Sequence, residues 1–149
     1  MTNGPLLGYP VLGASFEIHG VTVKKNTSEN IIAAAAVEAI KTVLKQANVA
    51  LMEPMMKLVI NSEPSVASSL INDLLMRRGQ NLERKDISAA TILITAEAPL
   101  SELRGYSTDL RIISSGKAIF GMEFSHYELM DQSDQNKAIK SITGFDPIT

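Results

Sequence analysis

Hydrophobic and polar positions recur along this chain with two different periods, and the switch between them marks the elements. Ile32, Ala33, Ala36, Val37, Ile40, Val43, Leu44 and Ala47 step by three, four and one, which makes one wide stripe of an amphipathic helix, with Glu38, Lys41 and Lys45 on its other side. Asn26, followed three residues later by Glu29, reads as the N-cap of that helix with a reciprocal acidic partner. Upstream, a Gly/Pro-rich entry (Gly4, Pro5, Gly8, Pro10, Gly13) leads into Phe16-Glu17-Ile18 and Val21-Thr22-Val23, two short strands joined at His19-Gly20. A hairpin and one helix bury little, so residues 1–53 read as half of an α/β domain that packs on a neighbour or is incomplete.

Residues 54–128 alternate more regularly. Met56 to Ile60 is a strand, Pro64 opens a helix that runs to Arg78, and Gly79 closes it at the C′ position. Gln80 to Ile87 reads as a polar edge strand and Thr91 to Ala96 as a buried one. Pro99 starts a second helical stretch, with Leu103, Tyr106, Leu110 and Ile113 on one face, which ends at Ser114-Ser115-Gly116. Ala118, Phe120, Met122 and Phe124 then alternate along a last strand. The order strand, helix, strand, strand, helix, strand predicts an α+β fold: a ferredoxin-like βαββαβ domain with a four-stranded antiparallel sheet and two helices on one face. The tail, residues 129–149, is polar apart from Ala138, Ile139 and Ile142, which would suit a short last helix.

Composition narrows the chemistry. With 149 residues, 45% of them hydrophobic, the chain can form a core without staples. The absence of cysteine removes thiolate nucleophiles, zinc ribbons and redox pairs. A net charge of −2 gives no bulk attraction to nucleic acid or anionic membrane, so any such contact must be local. No apolar run approaches the length of a bilayer span. The first residues resemble neither a signal nor a transit peptide, and the chain reads as a piece of a longer protein.

Catalytic constellations are missing. His19 and His126 have no metal-ligand spacing around them, and there is no G-x-S-x-G elbow. Gly116-Lys117 superficially matches the end of a phosphate loop, but Ala118 stands where Ser or Thr is needed and Arg111 where the leading Gly belongs. The βαββαβ order also serves RNA recognition by base stacking, which requires aromatic rings on the central strands. The third strand, Thr91 to Ala96, carries none, so base stacking is rejected. What survives is a basic cluster, Arg77-Arg78 followed by Arg84-Lys85. The arginines either complement the negative end of a helix dipole, with Arg84 and Lys85 guarding a solvated edge strand, or they form a phosphate-contacting corner.

Several stretches, in the right order over residues 4 to 128, together resemble the C-terminal end of translation elongation factor G. Gly4-Pro5-Leu6-Leu7-Gly8-Tyr9-Pro10 resembles the entry to the second half of that family's fourth domain, and Leu51-Met52-Glu53-Pro54-Met55-Met56 the junction with its fifth. Arg77-Arg78-Gly79-Gln80 matches the end of the first helix of the fifth domain. Pro99-Leu100-Ser101-Glu102, Gly105-Tyr106-Ser107-Thr108-Asp109-Leu110-Arg111 and Met122-Glu123-Phe124-Ser125-His126-Tyr127 complete the run. Asp134-Gln135-Asn136, without a highly basic C-terminus, looks most like the second mitochondrial paralogue.

The resemblance implies a division into residues 1–53 (second half of domain four), 54–128 (domain five) and 129–149 (tail). It implies that the parent is a GTPase whose nucleotide domain, with its GTP and Mg²⁺, lies elsewhere, and that this piece holds no cofactor, small-molecule substrate or catalytic residue. The implied partner is the ribosome at the large-subunit stalk base, through rRNA and a ribosomal protein, with ribosome recycling factor as a co-partner and no membrane. The implied task is ribosome recycling in the mitochondrial matrix, or else translocation in elongation. Candidate ribosome contacts are Arg77, Arg78, Gln80, Arg84 and Arg111, which favours the phosphate reading, and on that reading Arg77→Ala with Arg78→Ala leaves stability nearly unchanged. Gly105 is expected to permit close packing, Tyr106 to fill the core, and Asp109 and Arg111 to form local hydrogen bonds. Outside this family, the plan would suit a small-molecule-binding regulatory module, although Asn61-Ser62-Glu63-Pro64 lacks the glycine-rich ligand loop such modules need, or a purely structural oligomerisation domain.

Overall fold

A computed structural model describes residues 3–47 and 49–145. The chain forms two compact units, one from Met52 to Leu129 and the other from the residues before and after it.

The second unit is the ferredoxin-like domain. Its elements are β1 (Met52–Ser62), a 3-10 turn (Pro64–Val66) leading into α2 (Ala67–Met76), β2 (Gln80–Ser88), β3 (Thr91–Pro99), a 3-10 turn (Leu100–Leu103), α3 (Tyr106–Ser114) and β4 (Ala118–Leu129). The antiparallel sheet has the order β2-β3-β1-β4. Leu58 and Ile60 of β1 and Ile92, Ile94, Ala96 and Ala98 of β3 point to one face, where Ala67, Leu70 and Leu74 of α2 and Leu103, Tyr106 and Leu110 close the core. Each large side chain in this set contributes about 1.5–3 kcal/mol of burial. β1 starts earlier than the periodicity suggests and includes Pro54. Pairing with β3 begins only at Met55, so the prolyl nitrogen costs no ladder bond there.

Two features depart from the sequence pattern. The helical stretch expected from Pro99 is interrupted, because Gly105 stands in the left-handed region at φ 75° and separates the 3-10 turn from α3. A Cβ on Gly105 would meet nothing within 4 Å, so this glycine is needed for its dihedral rather than for close packing. The second departure lies in β4: Phe124 pairs with Met56 and His126 with Met55, which leaves Ser125 as the extra residue of a bulge.

The first unit contains α1 (Glu29–Gln46) and α4 (Gln132–Thr143). The expected 16–23 hairpin is absent: the segment forms no strand, and Phe16, Ile18, Val21 and Val23 stay exposed. Two short strands with no covering face bury too little to hold a hairpin. Asn26 does not cap α1. It adopts φ 70° in a turn closed by Thr27 on the Lys24 carbonyl, and Ser28 takes the N-cap position. Along α1 Leu44 is buried and Ile32, Ala36 and Ile40 are half-buried, whereas Ile31, Val37 and Val43 are exposed. The tail groups with this unit instead of standing apart. Met130 N–H donates to the Leu51 carbonyl, and buried Gln135 both accepts from Leu51 N–H at 3.2 Å and donates to the Met130 carbonyl at 3.1 Å. Asp131 caps α4 by accepting from Asp134 N–H.

Candidate functional site

The end of α2, where the basic residues concentrate, closes as a Schellman motif. Arg78 N–H donates to Leu75 and Gly79 N–H to Leu74, at 3.2 and 2.8 Å. The left-handed C′ position belongs to Arg78, at φ 58°, and not to Gly79. Gly79 is required one step later for a different reason: a Cβ there would lie 2.5 Å from the Leu74 carbonyl oxygen.

This turn sends the two arginines in different directions. Arg77 donates from Nε to Asp73 Oδ2 at 2.9 Å, from Nη1 to the Glu102 carbonyl at 2.8 Å and from Nη2 to Asp109 Oδ2 at 2.8 Å. Its guanidinium also sits 5.0 Å from the Tyr106 ring centroid. One side chain thereby fastens α2 to the 3-10 turn and to the first turn of α3. The hydrogen bond to Asp73 raises the Arg77 pKa above its ordinary value, with Asp109 adding to it and burial opposing it. Arg78 grips both carboxylate oxygens of buried Glu53, and its Nε lies 3.4 Å from Glu102 Oε1.

Arg77 and Arg78 are therefore committed to an internal network of carboxylates, and neither is the helix-dipole cap or the open phosphate fork that their sequence context suggests. A phosphate at either guanidinium would have to leave a largely buried carboxylate unpaired, which is costly. For the same reason, removing both arginines is expected to lower stability, contrary to the reading from sequence.

The other candidates are dispersed. The Gln80 amide donates to Glu128. Arg84 chelates Asp86 Oδ1 on the exposed edge strand, at 3.1 Å from Nε and 2.9 Å from Nη2, a solvent-screened pair. Arg111 is exposed on α3 and its guanidinium makes no hydrogen bond or ion pair to a described residue; Asp109, its expected local partner, is taken by Arg77. Arg104, which the sequence pattern does not single out, is likewise exposed and unpaired among the described residues. Asp73, four positions before Arg77 on the same helix, is the one local partner in this network; Glu53 and Glu102 lie 25 positions from the arginines they meet and Asp109 lies 32 away.

Elsewhere the surface offers little chemistry. Among the described residues no three His, Asp or Glu side chains are placed to hold a metal, and no helix is long and apolar enough to cross a membrane. Glu97 accepts from Ser125 and Asn81 at 2.6 Å each, and these bonds, Ser125 first, hold its carboxyl below the usual range. The loop where a small-molecule module would carry its ligand has only a shallow depression lined by Glu63, Pro64, Ser65, Ala89 and Ala90.

Comparison with known proteins agrees with this architecture. Residues 50–138 match the family described as "Elongation factor G C-terminus". Over 142 residues the chain is 37% identical to "Ribosome-releasing factor 2, mitochondrial" of Danio rerio and 32% identical to its Mus musculus counterpart. It is 36% identical over 143 residues to "Elongation factor G" of Thermotoga petrophila. These alignments cover 95% of this chain but only 18–20% of each relative, so the chain spans about a fifth of their length. A crystal structure of a Thermus thermophilus protein superposes with TM-score 0.79 at 26% identity, covering 97% of this chain and 22% of that one.

Proposed function

From the premise that this chain belongs to the elongation factor G family, we propose that it is the ribosome-docking C-terminal region of a translational GTPase that splits ribosomes after termination in mitochondria. The observation that carries the docking reading is the match over residues 50–138, which spans the whole ferredoxin-like unit. The recycling task is supported by the relatives named as mitochondrial ribosome-releasing factors. In this reading GTP and Mg²⁺ bind a different part of the protein, the large-subunit stalk base receives this region, and ribosome recycling factor acts beside it.

The physical contribution of such a region is rigidity. A nucleotide-driven change elsewhere does work on the ribosome only if the docked end holds its orientation. The Arg77 and Arg78 networks cross-link α2, α3 and β1 in the way a rigid anchor needs. Translocation is the second reading, favoured by the 36% identity to a bacterial elongation factor G, which differs from the 37% figure by one or two residues over this length.

The test is to supply the full-length factor with GTP to post-termination mitochondrial ribosomes together with ribosome recycling factor, and separately to pre-translocation complexes. Subunit splitting without translocation is expected. Translocation without splitting overturns the recycling assignment in favour of elongation, and failure of the factor to bind ribosomes at all overturns both readings.

A further inference from the structure

The ferredoxin-like unit is an insertion in the chain: it begins after Leu51 and ends before Met130, and both of those residues belong to the first unit. The β1–β4 ladder runs up to the pair Met52 and Leu129, and Met130 N–H, donating to the Leu51 carbonyl at 2.9 Å, carries it one step further. In an antiparallel pair the reciprocal bond would run from Leu51 N–H to the Met130 carbonyl. The side-chain amide of Gln135 stands there instead, its Oε1 accepting from Leu51 N–H at 3.2 Å and its Nε2 donating to the Met130 carbonyl at 3.1 Å.

The start of α4 holds this amide in place. Asp131 caps the helix by accepting from Asp134 N–H at 2.8 Å, and Gln135 N–H donates to the Asp131 carbonyl at 2.9 Å. Gln135 is buried, at 8% exposure. Its chemistry is specific, because one partner offers a donor and the other an acceptor, and a primary amide answers both at once. A glutamate of the same shape has no proton to give the Met130 carbonyl.

We propose that Gln135 is a positioning residue for ribosome splitting, a role that rests on the recycling reading above: its amide binds the entry and the exit of the ferredoxin-like unit into one two-stranded joint. A domain hung on a single chain turns about the soft backbone dihedrals of its linker. Where two chains are held side by side, rotation about either is opposed by the other. A nucleotide-driven change elsewhere in the protein then does work on the docked unit instead of being lost in swivelling of the connection. Asp134-Gln135-Asn136, which in sequence serves only as a mark of the paralogue, thus contains a residue with a mechanical task.

The test uses the full-length factor with GTP, ribosome recycling factor and post-termination mitochondrial ribosomes. Gln135→Met keeps the length of the side chain and removes the donor and the strong acceptor, and Gln135→Glu keeps the acceptor alone. In both variants ribosome affinity and ribosome-stimulated GTP hydrolysis are expected to stay at wild-type values, while the number of ribosomes split per GTP hydrolysed falls several-fold. In Gln135→Met the Leu51 amide should exchange its hydrogen about five- to tenfold faster, the equivalent of one lost hydrogen bond. Leu51→Cys with Met130→Cys in the Gln135→Met background places thiols on opposed residues, within disulfide range. Its oxidised form should recover the splitting yield and its reduced form should not. An unchanged yield per GTP in Gln135→Met, even with faster exchange, overturns the proposal and leaves Gln135 a purely structural residue. A parallel fall in affinity or GTP hydrolysis also overturns it, and so does a cross-linked variant that stays uncoupled. If the wild-type factor splits no ribosomes, the recycling reading falls and this proposal with it.

Discussion

Arg78 holds Glu53 through both terminal guanidinium nitrogens, at 2.9 and 2.7 Å, from a backbone that is itself in the left-handed region at φ 58°. A non-glycine residue there stores about 1–3 kcal/mol of strain, which the surrounding structure must over-determine. The bidentate pair to a nearly buried carboxylate is what does so, pinning the start of β1 to the end of α2. Arg78→Ala is expected to destabilise the fold by about 2–3 kcal/mol in urea unfolding, because it leaves the Glu53 charge without its partner. Pairing it with Glu53→Gln should recover part of the loss. Equal stability of Arg78→Ala and wild type would show the pair to be ornamental.

Arg77→Met tests the second network. It removes the donor shared by Asp73, Asp109 and the Glu102 carbonyl while keeping a stem over the Tyr106 ring. The expected cost is about 3 kcal/mol, and Asp73→Asn with Arg77→Met should be less unstable than the single change. Amide hydrogen exchange in α3 should quicken along with the loss, since that helix is tied to α2 through Asp109.

The two glycines at the helix ends make a paired prediction. Gly79→Ala places a methyl 2.5 Å from a backbone carbonyl that cannot move aside, and it should cost about 2 kcal/mol or more, on the order of the worst overpacking changes. Gly105→Ala meets no atom but takes φ 75°, so the expected cost is the dihedral alone, about 1 kcal/mol. Chemical denaturation of both variants checks the ranking, and the reverse order would mean that the close approach at Gly79 is relieved by small shifts.

Much of this molecule was legible from periodicity. The strands around Leu58 and Ile94 and the helices around Leu70 and Leu110 follow from apolar spacing, because each has a face to bury. Residues 16–23 misled for the opposite reason: alternation at Phe16, Ile18, Val21 and Val23 is a strand signal, but a strand needs a partner, and none is present among the described residues. The arginine corner misled differently. Arg77 and Arg78 look like a surface pair in sequence, and only the fold brings Glu53 and Asp109 to them across 25 and 32 positions. Only Asp73, at the i−4 position to Arg77, was a local cue; the pairs that reach across the fold have no local period, and so the unpaired Arg104 had no mark to distinguish it.

Tyr106 provides the sharpest test of the core. Its ring is almost wholly buried, edge-on to Phe120 at 5.2 Å, while its hydroxyl has no hydrogen-bond partner among the described residues. Burial, with the charge of Asp73 adding to it and Arg77 opposing, pushes its pKa up to about 12. Because the unfolded chain ionises this phenol near 10, the folded state resists losing the proton, and stability present below pH 10 is lost as the pH rises through 12. The loss should be about 2–3 kcal/mol for a shift of roughly two units. Tyr106→Phe keeps the ring contacts and removes both the orphaned hydroxyl and this titration. It is expected to be neutral or more stable by about 1 kcal/mol at pH 7, with a flatter decline between pH 10 and 12 in urea titrations. A variant that is about 2 kcal/mol less stable at neutral pH would mean that the hydroxyl has a bound partner, such as a buried water.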